Sequence, residues 1–341
     1  MKKYCGYILL ILSVVAFVSC KAGNVAPQSK NMVAMVTDVG GVNDQSFNQS
    51  AWEGLTLLSK EVSGTEVRYY ESKTDADYAP FIQNAVDTSA VLIWGIGYKL
   101  APAIQEASKN FPDQKFAIID YAFEPTLPNV SGVIFRVEEA AYLAGYLAAK
   151  VSKTKKIGFI GGFETPIIDH FEYGFRAGVL ASDPSVEVFT QYAASYSDSD
   201  KGKSIAQTMA DNGIDLIFPV AGDVGNGAIE LVRERGLYAI GVDRDQSYLA
   251  PDHMITSVLK RVDKATDSVS RGVLTGVFNP GNVELGLSDD AVGLASINPK
   301  IVQDKSLLST LETLRGQILS GEIKIPKTKE EFLAMGYPLN K

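Results

Sequence analysis

The sequence predicts an α/β protein of two doubly wound lobes, each a parallel sheet covered by helices on both faces. Three observations predict it. Short apolar runs alternate with amphipathic segments from Met32 onward, and the same grammar repeats from Val137. Both halves open with a strand that runs into a Gly-Gly loop and then a helix: TDVGG at residues 37–41 and FIGG at residues 159–162. Strand–helix–strand repetition implies parallel pairing with crossover helices on the sheet faces.

In the first half, NMVAMVTD reads as a buried strand and SFNQSAWEGLTLLSKEV as a helix. Phe47, Ala51, Leu55, Leu58 and Val62 recur there at helical spacing. Ser46 and Gln49 fit a capping box at its start. TEVRYYE, AVLIWGIG and KFAIIDY read as strands, separated by the helices DYAPFIQNAVDT and KLAPAIQEASKNF. In the second half VEEAAYLAGYLAAKVS, IIDHFEYGFRAGVLAS, KGKSIAQTMADNG and GNGAIELVRERG read as helices. They alternate with the strands KIGFIGG, VEVFTQYA, IDLIFPVAG and LYAIGVD. GVIFRVEE, MITSVLKRVD and the Gly-rich NPGNVELGLSDDAVGL read as three connections between the lobes. A last helix is expected near residues 306–319. The expected division is 32–134 with 257–280 for the first lobe, and 135–256 with 281–341 for the second.

The N-terminus reads as a targeting segment. Lys2 and Lys3 precede an apolar run of twelve residues, Tyr7 to Val18, a signal-peptide core too short to span a bilayer comfortably. Ser19 then precedes Cys20, a pattern that resembles a bacterial lipoprotein signal. Residues 1–19 would be removed, Cys20 would carry the acyl chains (palmitate among them), and residues 20–31 would form a tether. Cys5 and Cys20 are the only cysteines, so the mature fold has neither a disulfide nor a thiol nucleophile. About 320 residues remain, enough for two packed lobes. Taking the charges of Lys2 and Lys3 from the net −8 leaves −10. So acidic a domain is a poor candidate for nucleic acid. Lipid is the evident anchor, because no later apolar run is long enough to cross a membrane.

In doubly wound sheets ligands bind outside the carboxyl ends of the strands. The residues there are Asp38, Asp44, Phe47 and Asn48, then Trp94, Gly95 and Gly97, then Asp120 and Tyr121. The second half offers Phe218, the glycine Gly222 in AGDVGNG, Asp243 and Lys260. Aromatic faces suit a planar ring. Carboxylates accept hydrogen bonds from vicinal hydroxyls, an ammonium donates to them, and glycines let backbone approach a ligand. Each residue also has a structural reading: Phe47 as a staple, Trp94 and Phe218 as core, Asp38 and Asp120 as caps. No phosphate-binding G-x-x-x-x-G-K-[ST], no G-x-G-x-x-G, no G-x-S-x-G elbow and no metal-type histidine pairing is present. Metal: none; catalytic residues: none singled out.

The stretch TDVGGVNDQSFNQSAWEGL resembles the opening of the Bmp family of bacterial substrate-binding lipoproteins. So do IWGIGYKL, EEAAYLAGYLAAKVSKTKKIGFIGG, FEYGFRAGVL and IGVDRDQSYLAP, in the expected order. The chain is similar to the purine nucleoside receptor branch found in spirochaetes. The resemblance implies a type I periplasmic binding-protein fold closing on a nucleoside, with no cofactor and no catalysis. It implies stacking of the base between two phenylalanines, matched here by Phe47 and Phe218. Asp38, Asn48 and Asp120 would address the base or ribose edge, and Asp243 and Lys260 the ribose hydroxyls. It further implies a monomer on the extracytoplasmic side of the cell envelope that delivers adenosine-, guanosine- or inosine-type nucleosides to the permease of an ABC importer. A sugar receptor of the same fold and a host-interaction surface lipoprotein are the alternatives.

Overall fold

The computed structural model describes residues 31–339. The expected signal peptide, Cys20 and residues 20–30 of the tether lie outside the described residues. The first lobe begins with β1 (Asn31–Val36), α1 (Phe47–Glu61), β2 (Thr65–Tyr70) and α2 (Tyr78–Asp87). It continues with β3 (Leu92–Ile96), α3 (Ala101–Asn110), β4 (Phe116–Ile119) and β5 (Val130–Phe135). The chain crosses at Arg136 into α4 (Val137–Val151), β6 (Lys156–Gly161), α5 (Pro166–Ser182) and β7 (Glu187–Tyr192). There follow α6 (Ser199–Asp211), β8 (Leu216–Val220), α7 (Asp223–Arg235), β9 (Tyr238–Asp243) and β10 (Met254–Lys260). It returns at Arg261 for α8 (Val262–Leu274) and β11 (Gly281–Leu285). It then crosses again to β12 (Val292–Leu294), α9 (Lys305–Leu319) and α10 (Lys329–Ala334).

The two sheets have one plan. Their orders are β11-β5-β4-β3-β1-β2 and β12-β10-β9-β8-β6-β7. Pairing is parallel throughout except where β12 runs against β10. Both crossings from a fifth strand into a helix carry matching residues, Arg136-Val137-Glu138-Glu139-Ala140 and Arg261-Val262-Asp263-Lys264-Ala265. The arginines have nearly the same backbone, φ −80°, ψ 65° and φ −79°, ψ 62°. Each lobe is thus a copy of one doubly wound unit.

Two expectations change. The segments read as connections are largely strands: β5, β10, β11 and β12 complete the sheets, and the crossings proper are one or a few residues. The lobe boundaries move with them. β10 belongs to the second sheet, so the return to the first lobe falls after Lys260 and not before Ser257. β11 belongs to the first sheet, so the last crossing follows Leu285 and not Pro280. These exchanged strands bind each lobe to chain from both halves.

Core packing positions α5, which matters below. It lies on α4 at unusually short range. A Cβ at Gly178 would stand 1.9 Å from the Tyr142 carbonyl oxygen, and one at Gly145 2.0 Å from that of Phe175. Only glycine allows that approach, so side chains on α5 are held firmly over the second sheet. Trp94 is fully buried and its Nε1 donates to Ser270 Oγ at 2.9 Å, so it is core.

Candidate functional site

The carboxyl ends of strands from both sheets face each other across one cavity between the lobes. Its first-lobe wall is Asp38, Asp44, Phe47, Asn48, Gly97, Tyr98 and Asp120. Its second-lobe wall includes Ile167, Ile168, Phe171, Tyr196, Val220, Gly222, Asp243 and Lys260. Seven expected residues therefore meet here: Asp38, Phe47, Asn48, Asp120, Gly222, Asp243 and Lys260.

Phe218 does not. It is fully buried in β8, against Phe159, Phe175 and Phe171 with ring centroids 5.6, 5.0 and 6.4 Å away. A central strand covered on both faces buries every side chain along its length. Only its carboxyl end, Val220 to Gly222, reaches the cleft. The second-lobe phenylalanine lining the cavity, beside Tyr196, is Phe171, on the first helix after β6, just as Phe47 opens the first helix after β1. Phe218 stands behind it.

The start of α1 is built by Asp44. Its carboxylate accepts the backbone N–H groups of Ser46 (2.9 Å), Asn48 (2.8 Å) and Gln49 (3.1 Å), satisfying donors a helix leaves free. The expected capping by Ser46 is absent, because the Ser46 hydroxyl donates across the cleft to Asp243 Oδ2. Asn48 Nδ2 donates to Asp38 Oδ1 (2.7 Å) and Asp44 Oδ2 (3.0 Å), fixing all three groups. Gly97, within van der Waals reach of Phe47 and Asp38, has φ +108°, a backbone state that other residues rarely adopt.

Asp120 and Asp243 end the equivalent strands β4 and β9, and both have φ +66°. That left-handed backbone is uncommon for non-glycine residues and turns each carboxylate inward. Lys260, only 2 % exposed, reaches from the second lobe to Asp120 Oδ2 in the first. Its ammonium also lies 4.7 Å from the Phe47 ring centroid, within cation–π range. Asp120 takes the hydrogen bond of Lys260, and Asp243 takes that of Ser46.

Four carboxylates and one buried amine thus share the cavity wall. Burial pushes Asp38 up to about 6, although Asn48 and the Gly40 N–H pull the other way. Burial also pushes Asp243 up to about 6 against the pull of Lys260 and Ser46. Asp44 is raised as well, again by burial. For a carboxyl raised from 3.8, the stability it contributes is complete below about 3.8 and is lost as pH rises through about 6. Thermal unfolding of the ligand-free protein should therefore show these two groups losing their stabilising contribution between about pH 4 and 6. A melting curve whose pH profile is unaffected by Asp38→Asn with Asp243→Asn would contradict this.

With this geometry the comparisons with known proteins fall into place. The family model described as ABC transporter substrate-binding protein PnrA-like matches residues 31–329. The chain belongs to the Bmp family. It is 40% identical over 328 residues to the CD4+ T-cell-stimulating antigen of Listeria innocua, covering 90% of this chain and 91% of that one. It is 38% identical over 331 residues to basic membrane protein A of Borreliella burgdorferi, covering 95% and 96%. Among solved structures, an ABC transporter solute-binding protein from Aeropyrum pernix superposes with TM-score 0.81 at 27% identity, covering 89% of this chain and 96% of that one. The Bmp family and its type I periplasmic-binding fold are those of ABC substrate-binding proteins and not of enzymes. Membership implies a solute, a permease partner and work outside the cytoplasm. Among the described residues no helix is long and apolar enough to cross a membrane.

Proposed function

We propose that the protein binds purine nucleosides of the adenosine, guanosine and inosine type and delivers them to an ABC importer. It does so as a monomer anchored by lipid on Cys20 at the extracytoplasmic face of a membrane. The observation that carries this is the pairing of Phe47 and Phe171, rings from opposite lobes lining one cavity whose polar wall is four carboxylates and a lysine. A planar base would stack on these rings. Asp38, Asp44 and Asn48 suit its edge, and Asp120, Asp243 and Lys260 suit the ribose hydroxyls. Each stack is worth roughly 1–3 kcal/mol, and each charged hydrogen bond roughly 1.5–3 kcal/mol. At the upper end of these ranges two of each exceed an association cost of about 4 kcal/mol by about 8 kcal/mol, a micromolar constant. The excess of carboxylates disfavours phosphate, so nucleotides are excluded.

Calorimetric titration tests this with adenosine, guanosine, inosine, 2′-deoxyadenosine, adenine, AMP and ribose. Nucleosides should bind at micromolar strength or tighter, deoxyadenosine and adenine more weakly, AMP not at all. Tighter binding of ribose or another monosaccharide than of any nucleoside would sink the reading. Phe47→Ala and Phe171→Ala should each weaken nucleoside binding by roughly 1–3 kcal/mol. An unchanged constant in either variant would remove that ring from the site.

The anchor has its own test. Cys20→Ala should release the protein from membrane fractions or block its maturation. A processed variant that remains with the membrane would show that the tether lies elsewhere.

A further inference from the structure

Three consecutive first-lobe residues are held by the second lobe, and most of the groups holding them lie away from the solute cavity. The Asp44 carbonyl accepts Asn226 Nδ2 at 2.9 Å. The Gln45 carbonyl accepts Gln246 Nε2 at 3.0 Å. The Ser46 hydroxyl donates to Asp243. The Gln45 side chain adds a bond from the Tyr248 hydroxyl at 3.1 Å. Asn226, Gln246 and Tyr248 do not line the cavity.

Each donor is prepared for this contact within its own lobe. Gln246 is 1 % exposed, its Oε1 accepts the Val242 N–H at 2.9 Å, and its own N–H donates to Ser257 Oγ at 3.0 Å. That leaves its Nε2 for the other lobe. Asn226 is held by Asp223 Oδ1 at 2.8 Å. On the receiving side Gln45 has φ +55°, a backbone state that costs about 1–3 kcal/mol unless its surroundings impose it. Asp44, in this same turn, caps α1 and so sets Phe47 and Asn48. The motifs DQS and DRDQ thus face each other across the closed cleft.

We propose that Asn226, Gln246 and Tyr248 are a closure latch: positioning residues that grip the 44–46 turn, bias the lobes toward the closed state, and through that turn set Phe47 and Asn48 against the solute. The inference rests on the cleft being the binding site and not on which solute fills it. Ligand affinity contains the free energy of closure, so a latch residue alters it without touching the ligand.

The test uses Asn226→Ala and Tyr248→Phe, both partly exposed positions whose loss leaves the second-lobe core intact. Spin labels on Lys109→Cys in α3 and Thr208→Cys in α6 report the interlobe distance. The short-distance fraction of the ligand-free protein should fall roughly 2- to 12-fold in each variant, the range of one net hydrogen bond. The inosine dissociation constant should rise by the same factor, equally for inosine and 2′-deoxyinosine, with unchanged melting of the ligand-free protein. A short-distance fraction that is absent from the wild type, or unmoved by both variants, overturns the latch. So do losses that differ between the two ligands. Should the wild type not bind inosine, the nucleoside reading fails and the label distances alone decide the latch.

Discussion

Lys260→Met should lower nucleoside affinity by about 100-fold or more while leaving the melting temperature of the ligand-free protein nearly intact. Lys260 is the buried cation among Asp38, Asp44, Asp120 and Asp243. Removing one partner of a buried ion pair costs about 3–5 kcal/mol, because the remaining charge is uncompensated. Here the carboxylates sit between two lobes, so opening the cleft rehydrates them. The cost therefore falls on closure and on binding, and each lobe keeps its own core. The variant should recover part of its affinity at pH 5, where Asp38 and Asp243, already lifted to about 6, take up protons. Pairing the change with Asp120→Asn should also restore part of it. Titration at pH 7 and 5 with parallel melting curves measures both. Wild-type affinity in Lys260→Met would show that the amine does not hold the closed site.

Phe218→Ala should do the reverse. A fully buried phenylalanine truncated to alanine costs about 3–5 kcal/mol from lost transfer energy and the cavity left behind. For a unit of this size that lowers the melting temperature by roughly 6–20 °C. The ring packs under Phe171 and away from the cavity, so the surviving folded protein should bind nucleoside with little change. Calorimetric melting and titration on one preparation separate the two effects. A tenfold loss of affinity with unchanged melting would return Phe218 to the cleft.

The contrast between Phe171 and Phe218 shows where sequence reasoning reaches its end. The β-α grammar of both halves was legible because apolar periodicity switches sharply between two and 3.6 residues. The strand-end rule then located Asp38, Asp120, Asp243 and Lys260, since position relative to a strand end survives small errors in its limits. Which of several phenylalanines turns to the cleft was not legible. Phe171 and Phe175 lie one helical turn apart on the same apolar face, and periodicity does not distinguish a ring that packs on the sheet from one that overhangs the cleft. The internal repeat carried the missing signal: Phe47 opens the first helix of one lobe, and Phe171 lies in the first helix after the strand β6 of the other. The fifth strands were read as connections for a related reason. β5 and β10 run straight into the crossings, with a single arginine between strand and helix, so each strand reads as part of the link. Ser46 fitted a cap by pattern, but Asp44 outcompetes it with a carboxylate that accepts three N–H groups. That frees the hydroxyl for Asp243, a contact between residues 197 positions apart.

The central claim is that the cleft takes a purine nucleoside. Mass spectrometry of the small molecule released when the purified protein is denatured tests it most directly. An intact adenosine-, guanosine- or inosine-type nucleoside is expected, present in wild type and depleted in Lys260→Met. Release of a monosaccharide, or of separated base and ribose, would contradict it.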